Sequence, residues 1–321
     1  MLAEFAVRFE FLICRFEFVV PKGEFVEHLE SLKNLSKKQG FFVGIDSDGC
    51  AFDTMEIKHK ECFIPNIINS WDLQAVSKMA REAAEFINLY SEWRGINRFP
   101  GLVMVLDMLA QRDDAVERGY RAPGLDALRQ WLKTETSLGN PALEKAVRAS
   151  GDATMKKTLE WSKAVNADIA RIVRNVPPFP HVRECLQKLS AVADVVVVSA
   201  TPLEALQREW DEHDIAGYVR MICGQEHGSK TEHIRHAAGG KYAPENILMV
   251  GDALGDMKAA KANGAMFFPI NPGRETQSWK RLLEEGIDVF LKGNFGGRYE
   301  NDLLADFKKY LPSTPPWNRP N

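Results

Sequence analysis

Phe41-Phe42-Val43-Gly44-Ile45-Asp46-Ser47-Asp48-Gly49 is the stretch that decides the fold. Five apolar residues run without a polar break and stop at two aspartates separated by a single serine. A short unbroken apolar run suits a strand buried on both faces. The Asp-Gly pair behind it is turn chemistry. The stretch therefore reads as a core strand that releases carboxylates at its carboxyl end.

Working outward, residues 24–38 carry Phe25, Val26, Leu29, Leu32 and Leu35 at helical spacing. From about 54 to 175 helical periods dominate, as in 73–93, 101–112, 123–134 and 153–174, with no β-branched runs. Pro177, Pro178 and Pro180 then mark a return linker. Beyond them strands and helices alternate: strands at 194–198, 219–222, 247–250 and 265–268, helices at 203–212, 230–238 and 255–263. That rhythm implies a parallel sheet with helices on both faces. The expected architecture is a three-layer Rossmann-like α/β core, 41–54 with 176–311, interrupted by an all-helical segment at 55–175. An N-terminal extension and helix occupy 1–40, where 1–23 reads either as a short strand pair or as sequence outside the fold. The Pro-rich tail at 312–321 is expected to be loose.

Bulk properties exclude several classes. The chain has 321 residues, 45% of them hydrophobic, and 41 basic residues against 44 acidic ones. It contains no basic run for nucleic acid. Glu4, Arg8, Glu10, Arg15 and Glu17 break the aromatic N-terminus, leaving no signal peptide or membrane span. The five cysteines make no CxxC pair and read as free thiols of a reducing compartment, so a cytoplasmic location is expected. No GxGxxG follows a strand, which argues against a dinucleotide site. Oligomeric state has no signature in the sequence.

Ligands of open α/β sheets collect at the carboxyl ends of the strands. There the first strand delivers Asp46 and Asp48, the next Ser199 and Thr201, and the strand at 247–250 delivers Asp252 with Asp256 four residues on. Lys230 opens a helix whose N-cap is Ser229, because Ser229-Lys230-Thr231-Glu232 is a capping-box pattern. Carboxylates, a hydroxyl and an ammonium on one rim suit phosphoryl chemistry. A carboxylate approaches phosphorus only when a divalent cation and a lysine offset the charge on the phosphate oxygens. Magnesium matches oxygen-only ligands. Asp46 is then placed to attack, and Asp48 to protonate the leaving oxygen and later activate water.

These residues carry a resemblance. Asp46-Ser47-Asp48-Gly49-Cys50-Ala51-Phe52-Asp53 resembles the first motif of the haloacid dehalogenase-like hydrolases. Residues 195–199 resemble the second motif, Lys230 the third, and Gly251-Asp252-Ala253-Leu254-Gly255-Asp256 the fourth, in the family's order. The resemblance implies a helical cap inserted after the first motif, an Asp46 nucleophile and Asp48 as general acid/base. It also implies phosphate-binding roles for Ser199, Lys230, Gly49 and Ala200. Magnesium would be held by Asp46, by Asp48 through its backbone carbonyl and by Asp252, with Asp256 in support. Cys50 stands where Thr is commonest, and the insert is longer than a typical cap of this kind. Dehalogenase and phosphonatase-like members lack an aspartate at the position of Asp48, so its presence favours P–O chemistry.

The resulting expectation is a magnesium-dependent phosphatase of small phosphorylated metabolites working through an aspartyl-phosphate. The alternatives are a phosphomutase of the β-phosphoglucomutase kind or, less well supported, a dehalogenase. Arg94 and Arg98 in the helical segment are candidates for reading the leaving group. Asp53 and Glu56 read as caps of the first inserted helix. His227, His233 and His236 lack a fourth ligand for zinc and read as a solvated helix face.

Overall fold

The computed structural model describes residues 22–318; the segment 1–21, whose reading was left open above, and 319–321 lie outside the described residues. Five strands, β1 (Phe41–Ile45), β2 (Ala193–Val198), β3 (Met221–Cys223), β4 (Ile247–Gly251) and β5 (Met266–Pro269), form one sheet in the order β3-β2-β1-β4-β5. Every pairing is parallel, with Ile45 opposite both Val197 and Val250. The chain works outward from β1 to β3 on one side, then crosses to β4 and β5 on the other. The order therefore reverses between β1 and β4, and that crevice is where an open sheet binds ligands.

Side chains alternate across the sheet with the period of two that extended backbone imposes. Val43, Ile45, Val195, Val197, Leu248 and Val250 face the helix Val182–Ser190 and the segment 275–291. Phe42, Val196, Val198 and Met249 face the helices Lys22–Lys33, Lys230–Ala238, Leu254–Ala262 and Arg298–Tyr310. Gly44 sits between the layers: a Cβ there would come within 3.0 Å of Met249 Sδ and 3.1 Å of Val198 Cγ2. The unbroken apolar strands follow from burial on both faces.

Between β1 and β2 lie the inserted helices, chiefly Thr54–Ile57 running through a π-helical turn Lys58–Phe63 into Ile64–Ser70, then Ser77–Leu89, Arg98–Ala110, Asp126–Thr134, Asn140–Ser150 and Ala153–Ile172. They bury an apolar cluster of their own, including Leu102, Leu106, Leu128 and Trp161. Among the described residues no helix is long and apolar enough to cross a membrane.

Several expectations need correcting. The first helix ends at Lys33 rather than 38. The third strand is Met221–Cys223, because 216–218 first form a 3-10 turn that displaces it. The tail is not loose as far as residue 318: Pro316–Asn318 form a turn, and Trp317 packs on the helical insert.

One polar tie holds the N-terminal edge of the sheet. Asp194, buried at the start of β2, accepts from Lys38 N (2.7 Å), Gln39 N (2.9 Å) and Tyr242 Oη (2.5 Å), and pairs with Arg220. Burial pushes its carboxyl up, yet these donors outweigh burial and hold it below the ordinary range. A depressed folded pKa contributes stability above the unfolded value of about 3.9, lost as pH falls through the folded one. Asp194→Ala is expected to cost about 3 kcal/mol at pH 7, with the deficit shrinking below about pH 4. Urea melts at pH 7 and pH 3 measure both; a cost independent of pH contradicts the assignment.

Candidate active site

Asp46 leaves the carboxyl end of β1 with its backbone still in register, donating N–H to Val250 O at 3.0 Å. The turn behind it closes on Ser47: the amides of Cys50, Ala51 and Phe52 all donate to Ser47 O. Two indoles brace it from below, Trp210 Nε1 donating to Ser47 Oγ (3.0 Å) and Trp279 Nε1 to Cys50 O (2.8 Å). Gly49 adopts φ 76°, and a Cβ there would lie 2.5 Å from Arg94 Nη2 and 2.7 Å from Asp252 Oδ2. Both the turn conformation and the close approach therefore require glycine.

Asp46 Oδ1 accepts from Ser47 N (2.8 Å), and Oδ2 meets Lys230 Nζ at 2.6 Å. Lys230 also reaches Asp256 Oδ1 at 2.6 Å. It can do so because Ser229 caps the Lys230–Ala238 helix, with Glu232 closing the capping box, and so fixes the first turn. Asp256 Oδ2 accepts from the amides of Asp252 (3.1 Å) and Ala253 (3.0 Å), which locks the turn after β4. Asp46, Asp252 and Asp256 each offer a carboxylate oxygen within 4.8 Å of the others. Burial drives the carboxyls of Asp46 and Asp252 upward; Asp256 adds to this, while Lys230 and Arg94 oppose it.

Asp252 bears directly on whether a metal fits. Its Oδ2 accepts from Arg94 Nε at 2.6 Å, while its buried Oδ1 accepts from no described residue. A buried carboxylate oxygen without a donor is costly, and here it belongs to a cluster of three carboxylates. Hard oxygen donors in this arrangement fit magnesium.

Asp48 is held differently. Its oxygens meet Lys58 Nζ at 2.6 and 2.7 Å and accept from Thr201 Oγ1 at 2.7 Å and from Thr54 Oγ1. Burial raises its pKa, but the Lys58 ammonium and these hydrogen bonds take it down to about 2. Lys58 comes from the π-helical turn of the insert, an irregularity frequent at functional sites. Beside it, burial and then Asp48 push Glu209 up to about 7. Lys58, Glu209 and the two indoles carry no motif signal and were missed from the sequence.

The other candidates separate. Ser199 is buried, and its Oγ accepts from Thr201 N at 3.2 Å. Ala200 follows it in the same turn. Arg94 reaches the rim, but on Asp252 rather than at a leaving group. Arg98 does not: its guanidinium donates to Ser162 O, Ser162 Oγ and Asn166 Oδ1 inside the insert and lies 4.9 Å from the Phe63 ring centre. Asp53 makes no side-chain cap, and burial raises it to about 6. Glu56 pairs with Lys60 and accepts from Tyr90 rather than capping. The histidine face is not solvated as expected: His227 and His233 are buried, their ring centres 6.1 Å apart.

Residues 128–270 match the family model described as haloacid dehalogenase-like hydrolase. No curated protein matches the chain. Among solved structures it is similar to a haloacid dehalogenase-like family hydrolase from Streptococcus pneumoniae, at 14% identity over 75% of this chain and 90% of that one, TM-score 0.41. A haloacid dehalogenase-like family hydrolase from Xanthomonas campestris aligns at 12% identity over 82% and 97% of the two chains, TM-score 0.44. A predicted phosphoglycolate phosphatase from Haemophilus somnus aligns at 15% identity over 73% and 86%, TM-score 0.39. The matched segment takes in β2 to β5 with Lys230, Asp252 and Asp256, and β1 adds Asp46 and Asp48 at the centre of the same parallel sheet. Over residues 128–270 the chain is similar to the haloacid dehalogenase-like hydrolases.

Proposed function

We propose that the protein is a magnesium-dependent phosphomonoester hydrolase acting on small phosphorylated metabolites through an aspartyl-phosphate on Asp46. The observation that carries this reading is the meeting of Asp46, Asp252 and Asp256 within 4.8 Å, with Lys230 bridging two of them and Asp48 two residues away. Asp46, Asp252 and the Asp48 backbone carbonyl would hold the ion, supported by Asp256. Bound there, magnesium would offset the phosphate charge that repels a carboxylate nucleophile.

In the first step an Asp46 oxygen forms a bond to phosphorus while the bond to the leaving oxygen breaks, and Asp48 supplies the proton that oxygen needs. In the second, water attacks phosphorus, Asp48 takes its proton and Asp46 leaves as carboxylate. Lys230, Ser199 and the amides of Gly49 and Ala200 would hold the phosphoryl oxygens. The Lys58 pair keeps Asp48 ionised, the form that accepts the proton from water. Protonation for the first step requires that pair to open as substrate enters. The inserted helices act as a cap that excludes bulk water and restricts access to small substrates, consistent with their placing Lys58 and Arg94 on the rim.

A screen of small phosphorylated metabolites, read as phosphate release, tests this. Activity is expected with magnesium, to fall at least about 100-fold in EDTA, and to return when magnesium is restored in excess. Conversion of a sugar phosphate into its isomer without phosphate release would indicate a mutase. Chloride release from a haloacid without metal would refute the phosphatase reading.

A further inference from the structure

The helix Arg298–Tyr310 belongs to the core: Phe307 lies against Phe267 of β5, ring centres 5.8 Å apart, and Leu311 is buried with them. Six residues later Trp317 belongs to the insert. Its ring meets Phe86 at 5.8 Å and lies 4.4 Å under the Arg112 guanidinium, which is itself held by Glu82 and Asp114. Between the two anchors, Pro312 O accepts from Glu92 N at 3.3 Å. Phe86 also packs against Trp93, ring centres 5.9 Å apart. Glu92 and Trp93 immediately precede Arg94, the residue seated on Asp252.

We infer that 311–317 is a strap joining the core to the insert, with Trp317 as the positioning residue that holds the 90–97 turn, and so Arg94, over the rim. By covalent chain the insert joins the core at two crossings, 46–54 and 173–181, on which a cap would swing, while Arg94 on Asp252 and Lys58 on Asp48 and Glu209 pair across the rim. The strap adds a third connection. Six residues of chain span at most about 20 Å, so the Phe86 face cannot move further from the core without unseating Trp317. The contact set is suited to this. An indole offers large buried area at low entropy cost, and an aromatic pair with a cation over the ring adds about 1–2 kcal/mol. That is strong enough to hold at rest and weak enough to release.

The role of Arg94 at the rim rests on the phosphatase reading, whereas the strap does not, and amide hydrogen exchange needs no substrate. In the full chain, Trp317→Ala is expected to speed exchange in 90–97 at least about tenfold, the release of about 1.4 kcal/mol. The helix Arg98–Ala110 is expected to keep its protection. Trp317→Phe, which keeps a ring on Phe86, should stay within about threefold of the parent. Unchanged exchange at 90–97 in W317A, equal acceleration across 77–110, or W317F as fast as W317A would each overturn the strap. A failed metabolite screen beside the expected exchange pattern would sink the phosphatase reading and leave the strap standing.

Discussion

Asp46→Asn is expected to lower turnover at least about 10⁴-fold, more than 5 kcal/mol of barrier, while the protein stays folded. The amide offers no carboxylate oxygen to form the phosphoryl ester, so the covalent step has no substitute on the rim. Asp48 cannot take its place, because the first step needs it protonated, as the donor to the leaving oxygen. The effect on stability has two opposing parts. Burial and its acidic neighbours already push the Asp46 carboxyl up, so neutralising it relieves repulsion with Asp252 and Asp256. Lys230 loses one of two partners but keeps Asp256 at 2.6 Å. The two parts nearly cancel, and Tm should shift by no more than a few degrees. Phosphate release measures the first claim, and acid quenching with labelled substrate tests whether the parent, but not the variant, carries protein-bound phosphate. More than about 1% residual activity in Asp46→Asn would remove Asp46 as nucleophile.

How much of this was legible in the sequence depended on whether a side chain's position is set by a strand end or by tertiary contact. Asp46, Asp48 and Asp252 leave buried parallel strands whose apolar runs announce themselves, and a strand end fixes where the next residue emerges. Lys230 was legible because Ser229 and Glu232 cap its helix locally. Arg94 and Arg98 are four residues apart and look alike in the sequence. Asn97 caps the helix that starts at Arg98, accepting from Phe99 N. Arg94 thus lies in the turn before the cap and points at the rim, while Arg98 lies on the helix and turns into the insert. His233 was misjudged for a related reason: helical spacing gives the face but not its cover, and His28, on the helix Lys22–Lys33, packs at a tilt against His227 beside it, ring centres 4.9 Å apart. Trp317 sat in a Pro-rich tail whose composition carries no information about what it packs against.

Arg94→Met is expected to act in opposite directions with and without magnesium. In EDTA, Asp252 loses the cation at 2.6 Å and keeps a buried charge with no donor on either oxygen. Removing one partner of a buried pair costs about 3–5 kcal/mol, and for a chain of this size that lowers Tm by about 4–8 °C. With magnesium the balance reverses. A guanidinium on Oδ2 and a divalent ion on Oδ1 would share one carboxylate and repel across it. Removing the guanidinium should tighten magnesium binding at least about tenfold, or 1.4 kcal/mol. The rise in Tm on adding magnesium should therefore be larger in the variant than in the parent, since stabilisation grows with the ratio of free ligand to Kd. Calorimetric titration with magnesium and melts in EDTA and in magnesium separate the possibilities. Equal affinity in the two proteins would mean that Arg94 and the ion do not compete for Asp252. Loss of affinity in the variant would mean that Arg94 orients Asp252 for the ion, and no binding by either would remove magnesium from the site altogether.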